Sequence, residues 1–186
     1  MIATNDFRRG TKIEFKGEPY EIIEFQHVKM GRGAAFVRAK MRGLKSGKVI
    51  EETFTSGDKF PKANLESREM QYLYAQDNLY YFMDLETYEQ TALNAEQLGT
   101  VRLLLKENMN VTILNHKGNP LAVELPTFVE LKVSETEPGF KGDTASGGSK
   151  PAKLETGAGI KVPFHINEGD IIKVDTRTVE YIERVK

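Results

Sequence analysis

No stretch of this chain carries a helical apolar period long enough to cross between two parallel strands. Short strand-like runs separated by turn residues take its place. A parallel crossover needs a dozen residues or more, usually helical, so an α/β architecture is excluded. The runs fall at 11–16, 19–28, 34–42 and 48–54, then at 70–74, 79–83, 111–114 and 121–125. A last set falls at 128–133, 160–162, 171–175 and 179–185. Gly17-Glu18, Asp77-Asn78 and Lys117-Gly118-Asn119 supply turns, and many short strands with regular turn signals predict small antiparallel barrels. Asn94 is suited to cap a short helix at 95–98, and 101–107 reads as a second helical piece. Pro126 suggests a boundary. The expected division is 1–64, 65–127 and 128–186. Blocks of this size bury only about 60% of their unfolded surface, so they are expected to dock on one another.

Charge is segregated among these blocks. Residues 1–64 hold 13 Lys+Arg against 8 Asp+Glu, 65–127 hold 4 against 9, and 128–186 hold 9 against 10. No acid occurs between Glu24 and Glu51, a stretch that carries Lys29, Arg32, Arg38, Lys40, Arg42, Lys45 and Lys48. In the strand at 34–42, period two sends Ala35, Val37, Ala39 and Met41 one way and Arg38, Lys40 and Arg42 the other. That pattern predicts one core face and one basic face, fit for an anionic partner such as nucleic acid. A solvated face is the plainer reading of the same charges. Seven phosphate contacts would give a log–log salt slope of roughly −5 to −6.

The sequence is poor in catalytic parts. With no cysteine among 186 residues, disulfides, thiolate nucleophiles and sulfur-ligated metals are excluded. His27, His116 and His165 lie one per block without metal-binding spacing. No GxSxG elbow is present. The stretch from Gly142 to Lys150 fails the phosphate-loop pattern, because Gly148 stands where the lysine belongs. No enzyme activity, cofactor or metal is therefore expected. No apolar run approaches the ~20 residues of a membrane span, and the N-terminus lacks a signal core. The expectation is a cytoplasmic monomer.

The sharpest local feature is Lys29-Met30-Gly31-Arg32-Gly33 between two strands, a hairpin tip where glycines flank one arginine. Glycine lets the backbone turn tightly, and guanidinium presents five donors at any relevant pH. On spacing alone a turn arginine without a role is the plainer reading, and its place at the apex of the acid-free hairpin counts against that reading.

From end to end the chain resembles the bacterial elongation factor P family. The resemblance is carried by His27-Val28-Lys29-x-Gly31-x-Gly33, Tyr72-Leu73-Tyr74, and Phe82-Met83-Asp84-x-Glu86-Thr87-Tyr88-Glu89-Gln90. It continues in Pro138-Gly139-x-Lys141-Gly142-Asp143-Thr144, Lys150-Pro151-Ala152, Glu155-Thr156-Gly157-Ala158 and Lys173-Val174-Asp175-Thr176-Arg177. The resemblance implies an all-β chain of three small barrels, KOW/SH3-like then two OB-like, in an L-shaped, tRNA-like arrangement. It implies a translation elongation factor that binds both ribosomal subunits beside the peptidyl-tRNA, stimulates peptide-bond formation and relieves stalling at consecutive prolines. Arg32 then matches the tip that reaches the acceptor end, with Lys29, Met30, Gly31 and Gly33 as its loop and Arg38, Lys40 and Arg42 as tRNA or rRNA contacts. Gly142, Asp143 and Thr144 match a loop near the exit-site mRNA codon, and Tyr181 and Arg184 match small-subunit contacts.

Two departures stand out. Many members carry Pro and Lys where this chain has Met30 and Arg32, so amine-directed modification should not transfer; an arginine-modifying glycosyltransferase is the corresponding candidate partner, and a bare Arg32 is the alternative. Val179 replaces a usual turn glycine, which implies strain if that turn runs at positive φ. The rival reading is a general single-stranded nucleic-acid binder stacking bases on Tyr72, Tyr74, Tyr80 or Tyr81, against which the acidity of 65–127 counts.

Overall fold

Two-residue turns set the register of the sheets. In the computed structural model, which describes residues 1–29, 31, 33–139 and 148–185, Lys16-Gly17, Asp77-Asn78 and Lys117-Gly118 all have positive φ at both positions. Such turns match the right-handed twist of antiparallel strands. They join β2 (Lys12–Phe15) to β3 (Glu18–Val28), β7 (Glu66–Gln76) to β8 (Leu79–Asp84), and β10 (Asn110–His116) to β11 (Asn119–Glu124).

The remaining strands complete an all-β chain. The first unit has β1 (Ile2–Ala3) paired with β6 (Lys59–Phe60), and a four-stranded sheet in which β2 and β3 are followed by β4 (Phe36–Gly43) and β5 (Val49–Thr55). The second is a sheet in the order β11-β10-β7-β8-β9, with β9 spanning Gln90–Asn94. The third runs β14-β13-β12-β15-β16, formed by β12 (Phe128–Thr136), β13 (Ser149–Leu154), β14 (Gly159–Pro163), β15 (Ile171–Asp175) and β16 (Glu180–Val185). Both five-stranded sheets curl, bringing β9 toward β11 and β14 toward β16.

Each sheet closes over its own core. In the first, Val37, Ala39 and Met41 are fully buried, as the alternation of β4 predicts, beside Phe7, Ile13 and Ile22. Phe54 meets Phe60 edge-on at 4.8 Å and Phe15 at 5.5 Å, contacts worth ~0.5–1.5 kcal/mol each beyond area. Phe82, Leu93 and Ile113 anchor the second core, and Leu131, Val133, Leu154 and Val162 the third.

Asn94 caps α1 (Ala95–Leu98) as expected. Its side chain accepts from the Gln97 N–H at 2.9 Å while the Gln97 side chain accepts from the Asn94 N–H at 3.0 Å. The second helical piece differs from expectation. It is a 3-10 turn over Gly99–Leu103, after which Leu104 is pulled into the third core. Burial of that leucine outweighs continued helix.

The units are docked. Leu44 packs with Leu65, Leu114, Leu121 and Ala122 between the first and second, rimmed by Lys12–Glu124 at 2.6 Å and His116–Glu14 at 3.4 Å. Met109 and Leu125 pack on both the second and third cores. There Lys106 pairs with Glu155 at 3.1 Å, and the Thr156 hydroxyl donates to the Leu103 carbonyl at 2.6 Å.

Candidate nucleic-acid interface

Strands β3 and β4 form a long antiparallel arm. Its register runs from Tyr20 opposite Gly43 to Val28 opposite Phe36, with a bulge between Ile22 and Glu24. Ser56, after β5, donates its N–H to the Ala35 carbonyl at 2.9 Å and so ties down the base of the tip. Lys29, Gly31 and Gly33 are exposed there, and Gly33 adopts φ 136, open to glycine but strained for other residues. Met30 and Arg32 lie outside the described residues.

The basic face is present, but it is not free of acid in space. Glu24 lies directly opposite Lys40, and Glu21 directly opposite Arg42. The resulting pairs are Arg42–Glu21 at 3.1 Å, Arg38–Glu51 at 3.5 Å and Lys40–Glu24 at 4.0 Å. Lys45 similarly faces Glu18 at 3.9 Å. Acid-free sequence between 24 and 51 therefore does not give acid-free surface, because β3 and β5 bring carboxylates from either side. Arg38 and Lys40 remain half-exposed, and such pairs are weak enough to be exchanged for phosphates. Arg42 is more committed: it is half-buried, and its guanidinium packs so closely on Gly99 that any Cβ there would collide with it.

Beyond Glu24 the arm changes character. His27 and Lys29 are exposed and form no ion pair among the described residues. Among the described residues, the cation of the arm left without a carboxylate partner is thus Lys29, at its outer end, a distribution the sequence alone does not reveal.

The third unit presents its predicted site residues separately. Tyr181 is half-buried against the core, whereas Arg184 is exposed and reaches Asp170 at 3.7 Å. Both lie on the edge strand β16. Gly142, Asp143 and Thr144 lie outside the described residues. The ends of the connection that carries them are closely packed: a Cβ on Gly139 would strike the Phe164 carbonyl, and one on Gly148 its ring. Lys150, buried beside them, donates to the Glu137 carbonyl.

Two of the sequence motifs turn out to build turns. Asp84 accepts the N–H groups of Glu86 at 2.8 Å and Thr87 at 3.0 Å. These bonds, first that from Thr87, hold its carboxyl below the usual range. Asp175 takes a two-point contact from Arg177, at 2.7 and 3.1 Å, plus the Arg177 N–H at 2.8 Å. The guanidinium contact is the leading reason its pKa falls to about 2.

The stacking rival loses part of its surface. Tyr72 is a core residue, and burial pushes its hydroxyl pKa up. Tyr74 and Tyr81 are stacked on each other at 4.8 Å. Among the described residues no cluster of three metal-ligating side chains occurs, and no helix is long and apolar enough to cross a membrane.

Comparison with known proteins covers the chain from end to end. The elongation factor P KOW-like domain model matches residues 3–60, the elongation factor P OB domain 65–123, and the elongation factor P C-terminal model 129–184. The elongation factor P of Natranaerobius thermophilus is 63% identical over 186 residues, covering 100% of this chain and 99% of that one. Its counterpart in Thermodesulfovibrio yellowstonii is 59% identical over the full length of both. The solved eukaryotic translation initiation factor 5A from Methanococcus jannaschii aligns over 66% of this chain and 94% of its own at 22% identity and a TM-score of 0.45, too distant to bear on function.

Proposed function

This chain belongs to the elongation factor P family and is a translation elongation factor, and on that premise we propose that it binds the ribosome beside the peptidyl-tRNA and relieves stalling at consecutive prolines. The observation that carries the reading is the β3–β4 arm: its inner half is neutralised by carboxylates, while its outer end keeps free positive charge. An arm so charged fits a partner met at the tip, such as the acceptor end of a tRNA.

The factor works by positioning and has no catalytic residue of its own. Proline's ring restricts the nascent chain, so the reactive alignment is rarely sampled. Holding the acceptor end lowers the orientational part of the barrier, and each ~1.4 kcal/mol recovered is tenfold in rate. Arg32 contacts the acceptor end, either bare or after glycosylation. Lys29, Arg38 and Lys40 contact phosphates, which position without reading sequence; Arg42 serves chiefly to fasten the first unit to the second. Gly142, Asp143 and Thr144 approach the exit-site codon, and Tyr181 and Arg184 meet the small subunit. The working units are 1–64, 65–127 and 128–186, together imitating a tRNA outline in the cytoplasm.

The test is a purified translation system programmed with a message encoding three consecutive prolines. Ribosome position on the message is read with and without the chain. Loss of the stalled species on addition supports the reading; an unchanged stall at saturating factor overturns it.

A further inference from the structure

The second and third units meet through a device that none of the roles above uses. The 3-10 turn over Gly99–Leu103 ends at Leu104, whose N–H donates to the Val101 carbonyl at 3.0 Å. Leu104 lies at φ −114 and ψ 0, and there the chain sends two consecutive side chains into different cores. Leu104 is fully buried in the third core, and Leu105 is buried in the second. The turn between β13 and β14 grips the same segment from the other side. It is closed within itself by the Leu154 N–H on the Ala158 carbonyl and the Gly157 N–H on the Leu154 carbonyl, both at 2.8 Å. The Thr156 hydroxyl donates at 2.6 Å to the Leu103 carbonyl, one of the acceptors that the end of a helical turn leaves without an internal partner. Glu155 Oε1 accepts from the Lys106 ammonium at 3.1 Å and from the Lys132 N–H at 2.9 Å. Its carboxylate is thus tied to both units at once.

The sequence motif Glu155-Thr156-Gly157-Ala158 thereby acquires a role. Two of its side chains reach across the joint, Gly157 makes the turn at φ 87, and Ala158 is buried in the third core beneath it. Units that touch through polar contacts alone are expected to move on each other. A side chain of one unit packed as a core residue of the other removes that freedom, because close-packed interiors do not yield continuously. We propose that Leu104, Glu155 and Thr156 are positioning residues that fix the angle between the second and third units, and with it the span from the end of the β3–β4 arm to the third unit. The proposal rests on the reading of the chain as a ribosome-bound factor that works by positioning. A factor held through its third unit delivers the arm accurately only if the joint is stiff. A small rotation there is multiplied along the body, and small misplacements of reacting groups cost rate steeply.

The experiment forms a single Pro–Pro bond on purified ribosomes while the full chain is titrated, so that maximal rate and half-saturating concentration are read separately. Leu104→Ala is expected to lower the maximal rate about tenfold and to enlarge the radius of gyration of the free chain in small-angle X-ray scattering. Leu104→Met, which conserves volume, restores both. Thr156→Val removes only the hydrogen bond across the joint and is expected to lower the maximal rate about threefold. Phe7→Leu, a change in the first core, is the control: it lowers the melting temperature and leaves the maximal rate unchanged. Should Leu104→Ala fail to fold by circular dichroism, Thr156→Val combined with Glu155→Gln carries the test. Maximal rates at the unsubstituted level for Leu104→Ala and for that combination overturn the proposal. So does a Phe7→Leu chain slowed as much as Leu104→Ala, since loss of stability alone would then explain the effect. Either result leaves the functional reading standing if the unsubstituted chain still clears the proline stall. An unsubstituted chain that accelerates no bond removes the functional reading instead, and the stiffness of the joint is then decided by the scattering comparison.

Discussion

Val179 offers a measurement in which the usual order of two substitutions should reverse. It sits between β15 and β16 at φ 58, in the left-handed region, and its N–H closes the turn onto the Asp175 carbonyl at 2.8 Å. A residue with a Cβ pays roughly 1–2 kcal/mol there, and a β-branched one is a marked outlier. Val179 also packs partly on the third core, so replacing it by glycine alone would mix strain relief with lost contact. Comparing Val179→Ala with Val179→Gly removes that difficulty, since both lose most of the contact. Glycine ordinarily costs about 0.5–1 kcal/mol relative to alanine in regular structure. At this turn the relief of ~1–2 kcal/mol exceeds the ~0.4–1 kcal/mol of added unfolded-chain entropy, leaving Val179→Gly ahead by about 0.5–1 kcal/mol. For a unit of this size that corresponds to a melting difference of roughly 2–8 °C. Scanning calorimetry of the full chain reads it directly. If Val179→Ala melts above Val179→Gly, the strain argument is wrong.

Other perturbations follow from the same geometry. Ribosome binding should show a log–log salt slope near −2 to −3, the contribution of three phosphate contacts from Lys29, Arg38 and Lys40, with Arg42 held back by Glu21 and by its packing on Gly99; a slope of −5 or steeper would mean that all seven cations counted in sequence engage phosphates. The Asp175 carboxyl titrates at about 2 in the folded chain, so its contribution to stability is full above the ordinary carboxylate pKa and is lost as pH falls through about 2. Denaturation midpoints between pH 4 and 2 should therefore fall less steeply for Asp175→Asn than for the unsubstituted chain. Gly99→Ala places a methyl against the Arg42 guanidinium at a φ of 57. It should cost about 1–3 kcal/mol by over-packing and backbone strain, detectable as a lowered melting temperature; unchanged melting would mean the seam yields freely.

Much of the fold was legible because its signals are local. The alternation of β4 placed Val37, Ala39 and Met41 in the core, and Asn94 with Gln97 forecast the cap of α1. What escaped was non-local or locally disguised. Pro151 hid β13 from a reading by propensity; it lies beyond Ala152, the last β13 residue paired with β12, so that ladder never needs its N–H. The helical look of 101–107 yielded to the burial of Leu104 in a different unit. At the candidate site, the arm and its basic face were readable, but the carboxylates opposite them were not. Glu21, Glu24 and Glu51 reach Arg42, Lys40 and Arg38 only through strand register, which no single strand encodes. The same blindness applies to Tyr72, whose exposure depends on which side of β7 faces the core.

The central claim is that one guanidinium at the end of the arm orients a reaction it does not join. Rapid-quench measurement of a single Pro–Pro bond on purified ribosomes tests it most directly, with the unsubstituted chain, Arg32→Ala and no factor compared at saturation. The account predicts at least a tenfold acceleration by the unsubstituted chain, and a rate for Arg32→Ala equal to that without factor despite folding stability within about 0.5 kcal/mol. An Arg32→Ala chain that accelerates the bond as fully as the unsubstituted one would contradict it.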